Sequence, residues 1–192
     1  MSGVEEGPDG KQRCPWALST PEYVEYHDSE WGRPLHGEVE IFERLTLEAF
    51  QSGLSWLTIL RKRENFRRAF DGFEIEKVAA YGAEDLKRLM EDAGIVRNRK
   101  KIEAAITNAE AATKLHANGE SLDELVWSFA PNAESRPAPK TLSDLEPTTP
   151  ESKALCKELK RRGFAFVGPT TAYATMEAIG MVNDHLADCA FR

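Results

Sequence analysis

Apolar side chains along the chain recur at helical spacing, and strict alternation is almost absent. Residues 40–50 carry Ile41, Phe42, Leu45, Leu47 and Phe50, close to helical spacing. Before them, Thr20 followed by Pro21 reads as a cap and first helical position, with a helix over 22–28. Gly53 interrupts the pattern, and it resumes over 55–70 with a basic outer face. Short helices are expected over 74–81 and 83–93, the second with Leu86, Leu89 and Met90 as its stripe. Residues 99–118 form a longer one, with Ile102, Ala105, Ile106, Ala109 and Leu115 on one side. Five prolines between residues 130 and 150 mark a long connection, after which helices return over 151–162 and 171–179. The expected fold is all-α, in two helical lobes. Residues 1–12 are expected to be a disordered extension, and 13–192 the folded domain.

Composition narrows the class. With 41% hydrophobic and 30% charged residues over 192 positions, the chain reads as an ordinary globular protein. No apolar run approaches the roughly 20 residues of a membrane span, and residues 1–12 lack the apolar stretch of a secretion signal. A cytoplasmic location is expected. Three cysteines argue against a disulfide framework and leave buried, metal-ligating and nucleophilic roles open. The net charge of -7 argues against indiscriminate nucleic-acid binding. The charge is uneven, however: residues 61–101 hold 12 basic against 8 acidic side chains, and Arg97, Arg99, Lys100 and Lys101 lie together without an acid. A local basic patch is what this chain offers a polyanion.

Three groups of residues could carry chemistry. Cys14, His27, His185 and Cys189 sit near the two ends, and the last two are four apart, so on a helix they would share a face. Two thiolates and two imidazoles suit a tetrahedral metal site, but spacing alone equally allows four unrelated residues. Around Gly94, an amphipathic helix, a tight turn and a basic helix start follow one another. That order suits a helix–hairpin–helix element, at about 85–105, that holds a phosphate on backbone amides. An ordinary helical joint with a solvated basic face fits as well. Tyr26, Trp31, Glu48 and Trp56 combine flat rings with a carboxyl set among apolar neighbours, as a pocket for an extruded base would need. They are equally compatible with core packing. No Walker loop, dinucleotide fingerprint or acyl-transfer arrangement is present.

Several blocks together resemble the bacterial DNA-3-methyladenine glycosylase I family of the helix–hairpin–helix superfamily. They are Arg13-Cys14-Pro15-Trp16, residues 26–32 (YHDSEWG), 51–56 (QSGLSW), 62–65 (KREN), 92–97 (DAGIVR), 126–129 (VWSF), 160–168 (KRRGFAFVG) and 182–185 (VNDH). The resemblance runs from about Arg13 to Cys189 and leaves residues 1–12 outside it.

The resemblance implies a monofunctional N-glycosylase that removes N3-methyladenine flipped out of alkylated double-stranded DNA. It implies structural zinc on Cys14, His27, His185 and Cys189, joining the two ends of the chain. Glu48 would be the catalytic carboxyl, Tyr26, Trp31 and Trp56 the base-binding rings, and Gly53 and Leu54 an intercalating turn. Gly94, Arg97 and Arg99 would meet the DNA backbone. A monomer is expected, with no membrane partner, in the bacterial cytosol. After Lys101 the chain supplies Glu103 and Glu110 but no Asp before Asp123, and no lysine stands out as a Schiff-base nucleophile. Phe50 is bulkier than the polar residue expected there, which leaves the shape of the pocket wall open.

Overall fold

A computed structural model of the chain describes residues 3–133 and 136–192. Its centre is a helix, α2 (Glu38–Gln51), in which every residue from Ile41 to Phe50 is buried. Burial on all sides follows from the sequence: Ile41, Phe42, Leu45, Leu47 and Phe50 cover more than one face, so neighbours pack round the whole circumference. Those neighbours are α3 (Trp56–Ala69), α4 (Ile75–Ala79), α6 (Arg99–Ala117), α7 (Leu122–Trp127) and α9 (Pro169–Ala178). The short α5 (Ala83–Glu91) packs on α6, and α8 (Pro150–Arg161) on α9. The two lobes therefore meet along α2 and share one continuous core. A smaller cluster of Cys14, Tyr26, Trp31, Leu186 and Cys189 sits beside it, and Trp56 packs against both.

The expected helices are present, starting with α1 (Pro21–Ser29), whose cap Thr20 accepts from the Tyr23 amide. Helix α7 was not expected. It is only six residues long, too short for a periodic pattern, and forms because Ser121 and the Glu38 carboxylate take its first amides, Leu122 N at 3.0 Å and Asp123 N at 2.9 Å.

Two further expectations differ from the structure. Residues 1–12 were expected to be disordered; residues 1 and 2 lie outside the described residues, and Glu5–Glu6 (β1) pair antiparallel with Gln12–Arg13 (β2). Buried Arg13 holds this hairpin down by binding Asp9 at 2.6 and 2.8 Å and Asp28 at 2.8 to 3.1 Å. His185 and Cys189 do not share a helix. The chain after α9 runs in turns, and the bond from Cys189 N to Leu186 O (2.9 Å) brings the two side chains to the same place.

The end of α9 is fixed by backbone contact with the segment after α1. Gly32 N donates to Glu177 O (3.1 Å) and Leu35 N to Ile179 O (2.9 Å). Gly180, at φ +71°, lies so close that a Cβ there would stand 2.2 Å from the Arg33 carbonyl carbon and 2.5 Å from Pro34 N. Gly119 has a similar φ of +75° but open space around it. Gly180→Ala is expected to cost about 3 kcal/mol or more, and Gly119→Ala only about 1 kcal/mol, for the left-handed backbone alone. Urea unfolding of both variants checks the difference.

Candidate active site

Helix α2 places Glu48 on the side facing α1, α3 and α9. A cavity of about 280 Å³ opens there, lined by Trp16, Tyr23, Tyr26, Trp31, Glu48, Gln51, Trp56, Ala174 and Glu177. The four residues proposed from sequence as a base pocket thus share one space. The Tyr26 and Trp56 rings lie 5.5 Å apart at 46°, and Trp16 stands edge-on to Trp31 at 5.0 Å. Tyr23 is held by its hydroxyl, which accepts from Leu57 N at the start of α3 (2.8 Å). Phe50 takes no part in the wall. It is fully buried in the main core against Phe66, and Gln51 faces the cavity in its place.

Two polar atoms in this cavity are buried and have no partner among the described residues: Glu48 Oε2 and Trp56 Nε1. An acceptor and a donor are thereby left for something else to satisfy. With only Arg44 offsetting it, burial pushes the Glu48 carboxyl up to about 8. Burial therefore keeps Glu48 largely protonated at neutral pH. Glu177, half-buried at the end of α9, is also held well above the usual carboxylate range, by burial and by the acids Asp184 and Glu48. The arrangement can receive a flat, apolar-sided group, and can bind a cation by ionising a carboxyl.

Sequence reasoning missed Trp16, Tyr23, Gln51 and Glu177 as lining residues. Trp16 lies in one of the quoted blocks next to Cys14, and that was its only signal. Glu177 had none, since a single acid on a helix normally reads as solvent-facing. A larger cavity of about 490 Å³ lies between the proline-rich connection and α9. Its buried acid, Asp184, is already met by Arg136 (2.9 Å) and the Tyr173 hydroxyl, so it leaves no comparable demand for a ligand.

Cys14, His27, His185 and Cys189 come together, all buried, with one ligating atom of each within 4.8 Å of the others. His27 Nδ1 donates to Asp28 (2.8 Å) and His185 Nε2 to the Trp31 carbonyl (2.9 Å). Those bonds leave His27 Nε2 and His185 Nδ1 as bare lone pairs 3.0 Å apart. Burial lowers both imidazoles, His185 to about 4, so neither is charged at neutral pH. Two lone pairs facing at that distance repel unless a cation lies between them. The separations of Cys189 Sγ from both nitrogens, 3.5 Å, match the edges of about 3.3 to 3.8 Å in a tetrahedral site. Cys14 Sγ is 4.0 Å from His185 Nδ1 and accepts from Leu186 N. The donor set fits a metal ion, and it backs the cavity: the His185 ring stands edge-on to Trp31 at 4.7 Å.

The residues proposed for DNA lie outside the cavity. Gly53 (φ +80°) and Leu54 form an exposed turn between α2 and α3, and Leu54 is 41% exposed. Arg97 and Arg99 are exposed, Arg99 reaching Glu103 at 3.3 Å. Gly94 is not free to hold a phosphate with its own amide, which donates to Asp92 Oδ1 (2.7 Å). Its carbonyl accepts from Lys62 and Asn65 of α3, so the hairpin is tied to that helix.

Known proteins resemble this chain over nearly its whole described length. Residues 16–192 match the family model for methyladenine glycosylase. The chain is 47% identical over 178 residues to DNA-3-methyladenine glycosylase 1 of Escherichia coli strain K12, covering 93% of this chain and 95% of that one. A crystal structure of a 3-methyladenine DNA glycosylase I superposes with a TM-score of 0.87 at 45% identity, over 93% of this chain and 98% of the other. A variant of such a glycosylase, solved in complex with 3-methyladenine, gives 0.86 at 38% identity, over 93% and 96%.

Between the ordinary glutamate value of 4.5 and the folded value of about 8, the unfolded chain releases a proton that folded Glu48 keeps. Stability contributed by the neutral carboxyl is therefore full below about 4.5 and lost as pH rises towards about 8. Against Glu48→Gln, which cannot ionise, the wild type is expected to lose on the order of 4 kcal/mol more between pH 4.5 and 8. Urea unfolding across that range checks it, and parallel slopes for the two proteins would contradict it.

Proposed function

The chain belongs to the methyladenine glycosylase family, and on that premise we propose that its aromatic cavity receives N3-methyladenine swung out of alkylated double-stranded DNA. The protein is a base-excision repair glycosylase, a hydrolase of the N-glycosidic bond. The observation that supports the residue roles is the pairing of an unsatisfied buried acceptor, Glu48 Oε2, with an unsatisfied buried donor, Trp56 Nε1, in one ring-walled cavity.

Methylation at N3 makes the attached adenine a cation, so its bond to C1′ is already weak. The π faces of Tyr26, Trp31 and Trp56 are what attract such a cation. A positive charge beside Glu48 favours its ionised form and offsets the burial that otherwise keeps it neutral. The carboxylate then accepts from the exocyclic amino group and holds the base. As the bond breaks, its electron pair passes to the base, which becomes neutral, and water adds to C1′ with loss of a proton. No acid need protonate the leaving group. Once neutral, the base no longer stabilises ionised Glu48, the carboxyl regains its proton and the grip loosens. Unmodified adenine lacks both the charge and the weakened bond, so it is neither held nor released.

Leu54, on its exposed turn, fills the gap left by the extruded nucleotide. Arg97 and Arg99 meet phosphates. Cys14, His27, His185 and Cys189 hold zinc, which when bound supplies structural support and no chemistry. The protein acts as a monomer in the bacterial cytosol. Among the described residues no helix is long and apolar enough to cross a membrane.

Incubation with methylated DNA is expected to release free 3-methyladenine. Glu48→Ala should lower the rate by roughly 100-fold while duplex affinity changes by less than about threefold. Wild-type protein that releases no base would overturn the reading. Protein purified without added zinc should carry about one equivalent of the metal by elemental analysis. Cys14→Ser should lower the Tm by about 10 °C. Full occupancy and an unchanged Tm in that variant would contradict the zinc assignment.

A further inference from the structure

The last member of the basic stretch 97–101 does not belong to the surface. Lys101 is 6% exposed, and its Nζ donates to the carbonyls of Phe50 (2.7 Å) and Ser52 (2.5 Å). These carbonyls lie at the C-terminal end of α2, where backbone acceptors lack partners within the helix. An ammonium there also meets the negative end of the helix dipole. The turn it fastens, residues 52–55, is exposed and contains Gly53 at φ +80° and Leu54. At its other end Lys101 stands in the first turn of α6, where the Asn98 cap accepts from Lys101 N (3.2 Å). One side chain thus joins the helix that follows the basic hairpin to the turn that carries the wedge.

We propose that Lys101 is a positioning residue that fixes the Leu54 turn relative to the hairpin, so that the wedge enters the duplex at the place set by the phosphate contacts. The inference rests on the wedge role given to Leu54 above. A wedge pressed between base pairs must not recoil, and a glycine-containing turn resists recoil only if something outside it holds its backbone. Lys101 supplies that hold from the element nearest the DNA. Its amine is engaged with two carbonyls, which removes it from any role as a nucleophile toward the sugar.

The test is a double-substitution cycle with wild type, Lys101→Met, Leu54→Ala and the combined variant. Three quantities are read: Tm, affinity for free 3-methyladenine by tryptophan fluorescence, and kcat/KM on methylated duplex. Lys101→Met is expected to bind the free base within about twofold of wild type and to lose about tenfold in kcat/KM. The combined variant should be no worse than Leu54→Ala alone, since the lysine acts only through the leucine. Multiplicative losses, unchanged kcat/KM, or a matching loss of free-base affinity would each overturn the proposal. If Lys101→Met does not fold, Lys101→Gln, which keeps a donor, carries the same cycle. If neither folds, Lys101 is a general support of the fold and the proposal fails. An inactive wild type defeats the glycosylase reading itself, whereas an active wild type with multiplicative losses defeats this inference alone.

Discussion

A carboxyl buried in the last turn of the central helix, with one oxygen unpartnered, is the constraint on which the site depends. Among the described residues, the other acids buried to that degree are answered by the chain itself. Glu43 is clasped by Arg67 at 2.8 and 3.0 Å, and Asp184 by Arg136 and Tyr173. Glu48 has the field of Arg44, whose hydrogen bond goes to Glu30 at 2.9 Å. Leaving such a group without a partner costs about 1 to 3 kcal/mol. A ligand that brought positive charge and a donor would relieve that cost.

The frame holds the rings where that demand is felt. Trp31 is placed by three contacts: its carbonyl accepts from His185, its ring meets the His185 ring, and the next residue donates to the end of α9. Gly180 allows the end of α9 to lie directly on the backbone of Arg33 and Pro34, so the wall bearing Trp31 and the helix bearing Glu177 are in direct contact. The four metal-type donors gather the hairpin, α1 and the last turns behind this wall, with Ala190 N donating to Gln12 O at 2.9 Å. Stability at the chain ends and shape in the cavity are therefore the same property seen from two sides.

Much of this was legible in the sequence, for reasons that differ by element. Long helices announced themselves because a buried stripe must repeat every three to four residues. Glu48 stood out because Leu45, Leu47 and Phe50 surround it, and the donors Cys14, His27, His185 and Cys189 because of their chemistry. What failed was inference from local spacing where tertiary contacts decide. Spacing of four would put His185 and Cys189 on one side of a helix, but here a turn brings them together. Lys101 counted as surface charge, yet the open end of α2 draws it inward. Helix α7 exists because Glu38, more than 80 residues earlier, caps it. Residues 3–12 are ordered because Arg13 collects Asp9 and Asp28, which no count of charged residues can indicate.

The most direct test of the central claim is a proton–nitrogen NMR titration with free 3-methyladenine, following the indole Nε1–H of each tryptophan. The Trp56 Nε1–H signal should shift most and become protected from exchange as the donor finds its acceptor, and this response should weaken in Glu48→Gln. An unmoved Trp56 signal, with changes confined to residues around Arg136 and Tyr173, would contradict the account.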